Sequence, residues 1–480
     1  VAGLVHETSN RFAGIPEMEL FLRLLILLWL VNFAPPVIAV VFESRYNRPL
    51  DGGLLWRDGR PLLGRHKTTR GVLAGIITAG SIGPLLGFPF WLCLSAGSLS
   101  MLGDLFSSFL KRRLSFTSGD AVPGLDQIPE GLAPFCIIAP YYGLRFGYVF
   151  LFGIVFGTGA YLGSIFLYRV LLRKPFESYP RKIRALTRVR ELVSCKITAK
   201  PFSQILNFED AVYYHVFMKS VLKTIGVYER GKQNALVVEK REVSFHFHDL
   251  PAAFDGYRIL FLSDLHLDAL PGLTERTVEI IRQTPADLCI LGGDLRMEAY
   301  GSFTPALGQM RVLLPEILAG DGVLGVLGNH DCPEILESLK DLGVTFLVND
   351  SFPVERDGEC IWIVGADDCH YFKAHDLEAA FSDLPLDTFS IFVSHSNEVF
   401  KEAFKYRPNL FLCGHTHGGQ ILIPPIGPIF THSRAPRAFC QGVWNYRGMW
   451  GYTSAGVGVS GVPVRFNSKG EVTLVVLRKA

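Results

Sequence analysis

A chain that carries "LFLRLLILLWLVNFAPPVIAVVF" at Leu20 to Phe42 has few ways to fold. The run is long enough to cross a lipid bilayer, which takes about 20 apolar residues. Gly71 to Phe90 and Pro89 to Leu110 read as two further spans that meet near Pro89. Gly131 to Tyr168 is interrupted only at "YYGLR", Tyr141 to Arg145, and reads as a helical hairpin with Arg145 at its turn. An arginine at mid-bilayer costs about 2.5–3.5 kcal/mol on insertion scales, so the turn is the cheaper place. Five spans are expected. Composition agrees: 49 % of the 480 residues are apolar and the mean hydropathy is +0.27, high for a soluble chain.

The net charge is only +2, so nothing points to nucleic acid as a partner. The basic residues are unevenly placed. Arg45, Arg48, Arg57, Arg60, Arg65, Lys67 and Arg70 follow the first span, Lys111 to Arg113 the third, and Arg169, Arg173, Lys174, Arg181, Lys182 and Arg184 the fifth. With five spans, all three segments lie on one side, which the positive-inside rule makes cytoplasmic. The expectation is a multi-pass integral protein of a bacterial inner membrane, with its N-terminus outside and its C-terminal half cytoplasmic. The polar stretch before Met18 reads as a tail or an upstream start, since no small-residue cleavage site follows the apolar segment. Nine cysteines occur without a C-x-x-C pair, so neither a zinc ribbon nor a disulfide framework is expected. They read as mostly buried thiols in a reducing compartment.

The organisation expected is a tail (1–19), a membrane domain (20–173), an amphipathic helical linker (174–234) and a C-terminal domain (235–480). Within the linker, Ser178 to Gly231 mixes charges with apolar residues at helical spacing. Such helices lie on the membrane or brace the next domain. From Ala235 the pattern changes to short apolar runs ended by Gly and Asp, with helical stretches between them, which implies an α/β domain.

Polar clusters follow these strands directly. "LFLSDLHLD" gives Asp264 and His266, "LGGDL" gives Asp294, and "VLGNHD" gives Asn329, His330 and Asp331. "FVSHSN" gives His395, and "LCGHTHGGQ" gives His415 and His417. In parallel sheets functional groups collect at strand ends. Carboxylate, imidazole and amide oxygen suit Mn, Fe or Zn. Alternate residues of an extended segment point the same way, so each D-x-H or H-x-H aims two ligands into one site. Glycines at Gly414, Gly418 and Gly419 allow close approach. One such cluster is weak evidence; five in succession after five strands are strong.

The order D-x-H, G-D, G-N-H-D, H, G-H-x-H resembles the calcineurin-like metallophosphoesterases over roughly Val243 to Leu477. "GHTHGGQILIPPIGPIF" and the sequence after it are similar to a membrane-associated bacterial branch that includes a type of UDP-2,3-diacylglucosamine pyrophosphohydrolase. The resemblance implies a four-layer α/β/β/α sandwich and two divalent metals. One would take Asp264, His266, Asp294 and His417, and the other Asp294, Asn329, His395 and His415. It also implies His330 as proton donor or phosphate partner, oriented by Asp331.

The membrane half carries more than an anchor needs. Asn32 lies within a span, Asp104 at a membrane end, and "GDLFSSFLKRR" and "GLDQIP" on one expected face. Intramembrane polar groups are costly and usually functional. "PLDGG", "DGRPLLG", "KTTRG", "GDLFSSFLKRR" and "LDQ" resemble the CDP-archaeol synthases, five-span cytidylyltransferases related to CDP-diacylglycerol synthase, over about Leu20 to Arg173. The resemblance implies Mg²⁺, CTP and a lipid phosphate, with Asp51, Asp58, Arg60, Lys67, Arg70, Asp104, Ser108, Lys111, Arg112, Arg113 and Asp126 as candidates. Two departures stand out. Thr69 replaces a tryptophan, and Pro129 stands where an acid is expected after Gln127.

The leading expectation is a membrane-bound metallophosphoesterase acting on an amphiphilic phosphate, with membrane lipids around it. The alternatives are a CTP-dependent lipid cytidylyltransferase with an accessory phosphoesterase, and a non-catalytic receptor with a structural metal.

Overall fold

A computed structural model describes residues 16–42, 45–116, 122, 125–142, 144–145, 147–167, 173–196 and 211–480. Most of the polar tail, Arg169 and the 197–210 stretch of the linker lie outside the described residues. The chain divides into two compact units, one of residues 1–173 with 184–186 and the other of 174–183 with 187–480.

The first unit is helical. Its helices are α1 (Glu17–Phe42), α2 (Thr69–Ile82), α3 (Phe90–Arg113), α4 (Ile128–Tyr141) and α5 (Gly147–Ile165). Thr68 caps α2, its hydroxyl accepting from the amide of Gly71. Packing is by apolar contact, as in the stacked rings of Phe135 and Phe152, 4.1 Å apart, and Trp29 donates to the Phe156 carbonyl at 3.1 Å. Four helical segments are long and apolar enough to cross a membrane: Glu17–Ala39, Thr69–Leu86, Phe90–Arg113 and Gly147–Ile165. Here the five-span expectation is met only in part. The hairpin turns around Arg145 as expected, but its first arm, α4, has 14 residues, about 21 Å at 1.5 Å per residue, short of a full crossing.

The second unit is built on two six-stranded sheets. The first runs in the order β1-β14-β2-β3-β4-β5, from β1 (Val238–Phe247), β2 (Arg258–Leu262), β3 (Leu288–Leu291), β4 (Val323–Gly325), β5 (Val344–Phe346) and β14 (Gly470–Lys479). β14 lies between β1 and β2, parallel to β1 and antiparallel to β2. The second runs β12-β13-β9-β8-β7-β6, from β6 (Asp350–Arg356), β7 (Glu359–Ala366), β8 (Ser390–Ser394), β9 (Leu410–Cys413), β12 (Gly442–Tyr446) and β13 (Met449–Thr453). A two-stranded ribbon, β10 (Leu422–Ile423) with β11 (Gly427–Pro428), projects after the H-x-H motif.

Strands β3, β8 and β9 are buried at every residue, as their unbroken apolar sequences require. Ile259 and Phe261 of the first sheet share one core with Ile391, Val393 and Leu412 of the second. The other face of the first sheet packs Leu260, Leu262 and Leu291 with the helical Val278, Ile281 and Met310. The other face of the second packs Phe392 and Phe411 with Leu377 and Phe400. Neighbouring parallel strands β2, β3 and β4 end on one edge, and β7, β8 and β9 do the same in their sheet.

The linker braces this unit. Arg181 is wholly buried; it makes paired contacts with Asp367 at 2.6 and 2.9 Å, bonds Glu191 at 3.0 Å and lies over the Phe372 ring. Cys195 and Cys332 form a disulfide. That pairing is a single disulfide, not a framework, and departs from the expectation of buried thiols at these two positions. Its partners are 137 residues apart, so no local spacing announces it. Of the other seven cysteines, five are buried thiols.

Candidate metal centre

Each candidate ligand of the second unit lies just past a strand. Asp264 and His266 follow β2, Asp294 follows β3, Asn329 and His330 follow β4, His395 follows β8, and His415 and His417 follow β9. The local geometry differs from the extended chain expected from the spacing. Asp264, His266, Asp294, His415 and His417 all have positive φ, between 38° and 71°. Non-glycine residues seldom take that conformation, and it gathers at functional sites where the surroundings enforce it. The ligands are turned into the centre by left-handed backbone, not by strand alternation. Space comes from missing side chains. A Cβ on Gly414 would lie 1.9 Å from the Ser263 hydroxyl and 2.2 Å from Asp264 Oδ2.

The side chains converge on two carboxylates. Asp294 Oδ2 lies 3.2 Å from His395 Nε2 and 3.7 Å from the Nε2 atoms of His266 and His330. Asp264 Oδ1 lies 3.4 Å from His417 Nε2 and 3.9 Å from His395 Nε2. The possible ligand groups are Asp264–His266–His417, Asp294–His395–His415 and His266–Asp294–His330, with ligand atoms within 4.8 Å of one another in each. Asp294 is therefore central.

The donor set fits divalent cations. His266 Nδ1 is held by the Arg296 carbonyl at 2.6 Å, His395 Nδ1 by that of Gly292 at 2.8 Å, and His415 Nε2 by that of His432 at 2.8 Å. Fixing one ring nitrogen on a carbonyl aims the other inward and sets its tautomer, as metal-ligating histidines require. The atoms left over are buried and have no hydrogen-bond partner: His266 Nε2, His395 Nε2, His417 Nδ1 and Asn329 Oδ1. Such orphans are costly unless something else binds them.

Electrostatics favour an anionic Asp294 and neutral His415 and His417, with His395 the exception. Burial pushes Asp294 up, but His330, His395 and His266 outweigh it and hold the carboxylate well below its usual range. Burial pulls His395 down, and Asp294 and Asp264 win, pushing it up to about 10. Burial keeps His415 and His417 well below their usual value.

The role expected for Asp331 changes. It does not hold the His330 ring. Its carboxylate accepts from the amides of Asp294, Leu295 and Gly328 at 2.7, 2.9 and 2.9 Å. It therefore positions Asp294. His330 Nδ1 instead meets the Met297 carbonyl at 2.5 Å, and its Nε2 faces the centre.

Further residues support the site without a motif of their own. His370 lies against His415, ring centres 4.4 Å apart, on a loop whose amides at 370, 371 and 372 all donate to Asp368. Arg465 is wholly buried and donates to the carbonyls of His417, Ala455, Gly456 and Gly458. Arg296 holds the carbonyls of His330, Ala299 and Gly301. Asp368 follows β7 as the ligands follow their strands, a usable signal; the arginines gave none.

The membrane unit brings its own candidates together, but pairwise. Lys67 meets Asp104 at 2.5 and 2.6 Å, Lys111 meets Asp126 at 2.5 Å, and Arg113 meets Asp58 at 3.0 Å. Asp51 is spent on the amides of Gly53, Leu63 and Gly64 and shapes its loop. Arg60 donates to the Arg113 carbonyl and Arg70 to that of Arg45. Ser108 and Arg112 are buried, and Arg112 Nε has no partner. An acid stands one residue after Pro129. Glu130 is buried, accepts from Asn32 Nδ2 and lies against Asp104, with Lys67 and Asp126 close by. Gly103 permits this, since a Cβ there would sit 2.3 Å from the Pro129 carbonyl oxygen.

A strand-end cradle of this composition on two mixed sheets defines a metallophosphoesterase, and residues 257–419 match the calcineurin-like phosphoesterase family. Residues 18–174 match the CDP-archaeol synthase family. The chain belongs to both, a calcineurin-like phosphoesterase joined to a CDP-archaeol synthase-like membrane domain, and is a membrane protein. Phosphodiesterase YaeI of Escherichia coli (strain K12) is 30 % identical over 236 residues, covering 46 % of this chain and 82 % of that protein. A transmembrane protein with metallophosphoesterase domain from Danio rerio is 28 % identical and covers 58 % of this chain and 68 % of its own length. The CDP-archaeol synthase of Pyrococcus abyssi is 34 % identical over 135 residues, covering 25 % of this chain and 79 % of that protein.

Proposed function

We propose that the protein hydrolyses a phosphodiester, pyrophosphate or phosphomonoester borne by a lipid or nucleotide-lipid, using two divalent ions of Mn, Fe or Zn. The observation that carries this is the set of buried, partnerless ligand atoms aimed at one centre. Asp264, His266, Asp294 and His417 would hold one ion, and Asp294, Asn329, His395 and His415 the other. Two such ions supply Lewis-acid charge to a phosphoryl group and a nucleophile at neutral pH. The protein's own contribution is orientation and proton transfer. His330 Nδ1 is committed to a carbonyl, so Nε2 is the atom that passes a proton to the leaving oxygen. The three cores beside and between the sheets are the spaces of an α/β/β/α sandwich. The test is hydrolysis of bis(p-nitrophenyl) phosphate by the detergent-purified chain with Mn²⁺. Asp294→Asn abolishes it if the reading holds.

A second reading is favoured by the buried meeting of Asp104, Glu130 and Lys67. These acids, with Asp126, would hold Mg²⁺ for transfer of a cytidylyl group from CTP to a lipid phosphate. Turnover of CTP with phosphatidic acid, lost in Asp104→Asn, tests it. Neither activity across several metals and lipids would leave a non-catalytic receptor.

In this reading α4 and α5 complete a five-span bundle in a bacterial inner membrane, with the basic segments and the phosphoesterase unit cytoplasmic. The Cys195–Cys332 disulfide pulls the other way, since disulfides persist in oxidising compartments. The three basic segments carry the assignment because loop charge sets topology during insertion. Alkylation of Cys360, a half-buried free thiol of the phosphoesterase unit, with a membrane-impermeant reagent checks it: a cytoplasmic unit stays unlabelled until the cells are opened.

A further inference from the structure

The phosphoesterase unit has an apolar face beside its metal centre. One half is the helical segment Ala211–Met218 continued by Lys219–Thr224. Its inner side packs Tyr214, Met218 and Leu222 with Ile421, Val462 and Val464. Its outer side leaves Val216, Phe217 and Ile225 between 56 and 62 % exposed. The other half is the β10–β11 ribbon, "LIPPIGP" at Leu422 to Pro428, whose tip Ile426 is 67 % exposed. The ribbon has no charged residue, so nothing in its own sequence solvates it.

The two halves meet, and they meet at the site. Tyr213 lies edge-on to Phe430, ring centres 6.3 Å apart, and Tyr214 lies 6.4 Å from His432. The His432 carbonyl holds the ligand His415, and the ribbon begins a few residues after the ligand His417.

We infer that this face is where the phosphoesterase unit docks on a lipid bilayer, so that the metal centre opens at the headgroup layer. The occupant is a bilayer rather than a second protein for three reasons. The same chain carries membrane-spanning helices, so a bilayer is always present at high effective concentration. Exposed apolar positions on a helix bordered by lysines suit the headgroup–acyl boundary, where apolar side chains bury and cations meet anionic lipid. Lys219 and Lys223 supply those cations beside Tyr228. The ribbon tip is narrow and uncharged, a shape that enters acyl chains more readily than it builds a protein interface. The inference rests on the phosphoesterase reading only for what it delivers to the centre: a phosphate presented by lipid, with its acyl chains still in the membrane.

The test needs no substrate. The full chain, in nanodiscs of phosphatidylethanolamine and phosphatidylglycerol, would carry a photo-crosslinking benzoylphenylalanine at Ile426, Phe217 or Leu386. Leu386 is 95 % exposed and precedes β8, at the end away from the metal ligands, so it controls for exposure alone. Lipid adducts read by mass spectrometry are expected at 426 and 217, at least fivefold above those at 386. Equal yields at the three positions, or protein–protein adducts instead, overturn the inference. A second arm places the probe at Ile429 and adds Val216→Glu and Ile426→Glu, which is expected to cut the adduct at least threefold; an unchanged yield also overturns it. Loss of phosphoesterase activity in none of these proteins bears on docking, whereas an inactive wild type would defeat the hydrolase reading and leave docking to the crosslinks.

Discussion

The two units solve the same problem, gathering charge in a buried place, in opposite ways. In the phosphoesterase unit four buried atoms, on His266, His395, His417 and Asn329, have no hydrogen-bond partner, and the side chains that carry them gather around the carboxylates of Asp264 and Asp294. In the membrane unit three of the candidate acids already have a base: Lys67 for Asp104, Lys111 for Asp126, Arg113 for Asp58. The first arrangement is unfavourable until an external cation arrives, so it declares its purpose. The second is self-neutralised and stable as it stands, as buried charge in a membrane must be. For it to act, a ligand must displace internal pairs. Glu130 is held by Asn32 rather than by a base, and the Nε atoms of Arg70, Arg112 and Arg113 have no hydrogen-bond partner.

The contrast is broken most severely at Asp294. Asp294→Asn is expected to lower hydrolysis of bis(p-nitrophenyl) phosphate roughly 10³-fold or more. Metal content measured on the same protein should fall with it, and the substitution should leave the membrane unit's helices intact. Retained hydrolysis would mean that the cradle is not the catalytic centre. His330→Ala comes next, with a loss of about 10²–10⁴-fold, the range of general acid catalysis. It should leave the metal content intact, because its Nε2 can be lost without opening the two main ligand groups. A His330→Ala protein that loses its metal would make this residue a ligand instead.

In the membrane unit, if the cytidylyl-transfer reading holds, Asp104→Asn and Glu130→Gln each cut CTP turnover at least tenfold and leave phosphodiester hydrolysis unchanged. If only Asp104→Asn does so, Glu130 is a structural partner of Asn32 and not a substitute for the acid absent at Pro129. The smallest effect is on pH dependence. His395 without metal keeps its proton up to about 10, because Asp294 and Asp264 beside it outweigh burial. Its charge contributes stability to the metal-free fold that is complete below about 6.5 and lost as pH rises toward about 10. Metal binding needs the opposite state, so affinity should rise with pH across that window, up to about tenfold per unit for one released proton. Calorimetry with Mn²⁺ in buffers of different ionisation enthalpy would count that proton; none released would remove His395 from the ligand set.

How much of this could be read from sequence also divides between the units. The ligand clusters were legible because each lies within a few residues of a strand end, and parallel strands bring their ends to one edge. Their conformation was not: spacing of two suggested extended chain, whereas the ligands adopt left-handed backbone. Asp331 was legible as part of the site but not as the residue that fixes the Asp294 amide, since two of its three partners come from the distant turn after β3. His370, Arg465 and the Cys195–Cys332 bond depend on contacts between distant segments, and local pattern carries no information about those. In the membrane unit, hydropathy located the helices well. It placed the hairpin turn at Tyr141 to Arg145, where α4 ends, but not the 14-residue length of that helix.

The place of β14 has a consequence for how such a molecule is made. A ribosome delivers the helices of α1 to α5 first and β14 after every other strand, yet β14 is wedged between β1 and β2. Until it emerges, the nascent first sheet has a missing plank, and the turn at Val457 and Gly458 that pins Ser263 and Asp264 has no anchor through Glu471. Insertion into the bilayer thus precedes completion of the cradle, and cation loading is deferred to a chain already moored where it will work.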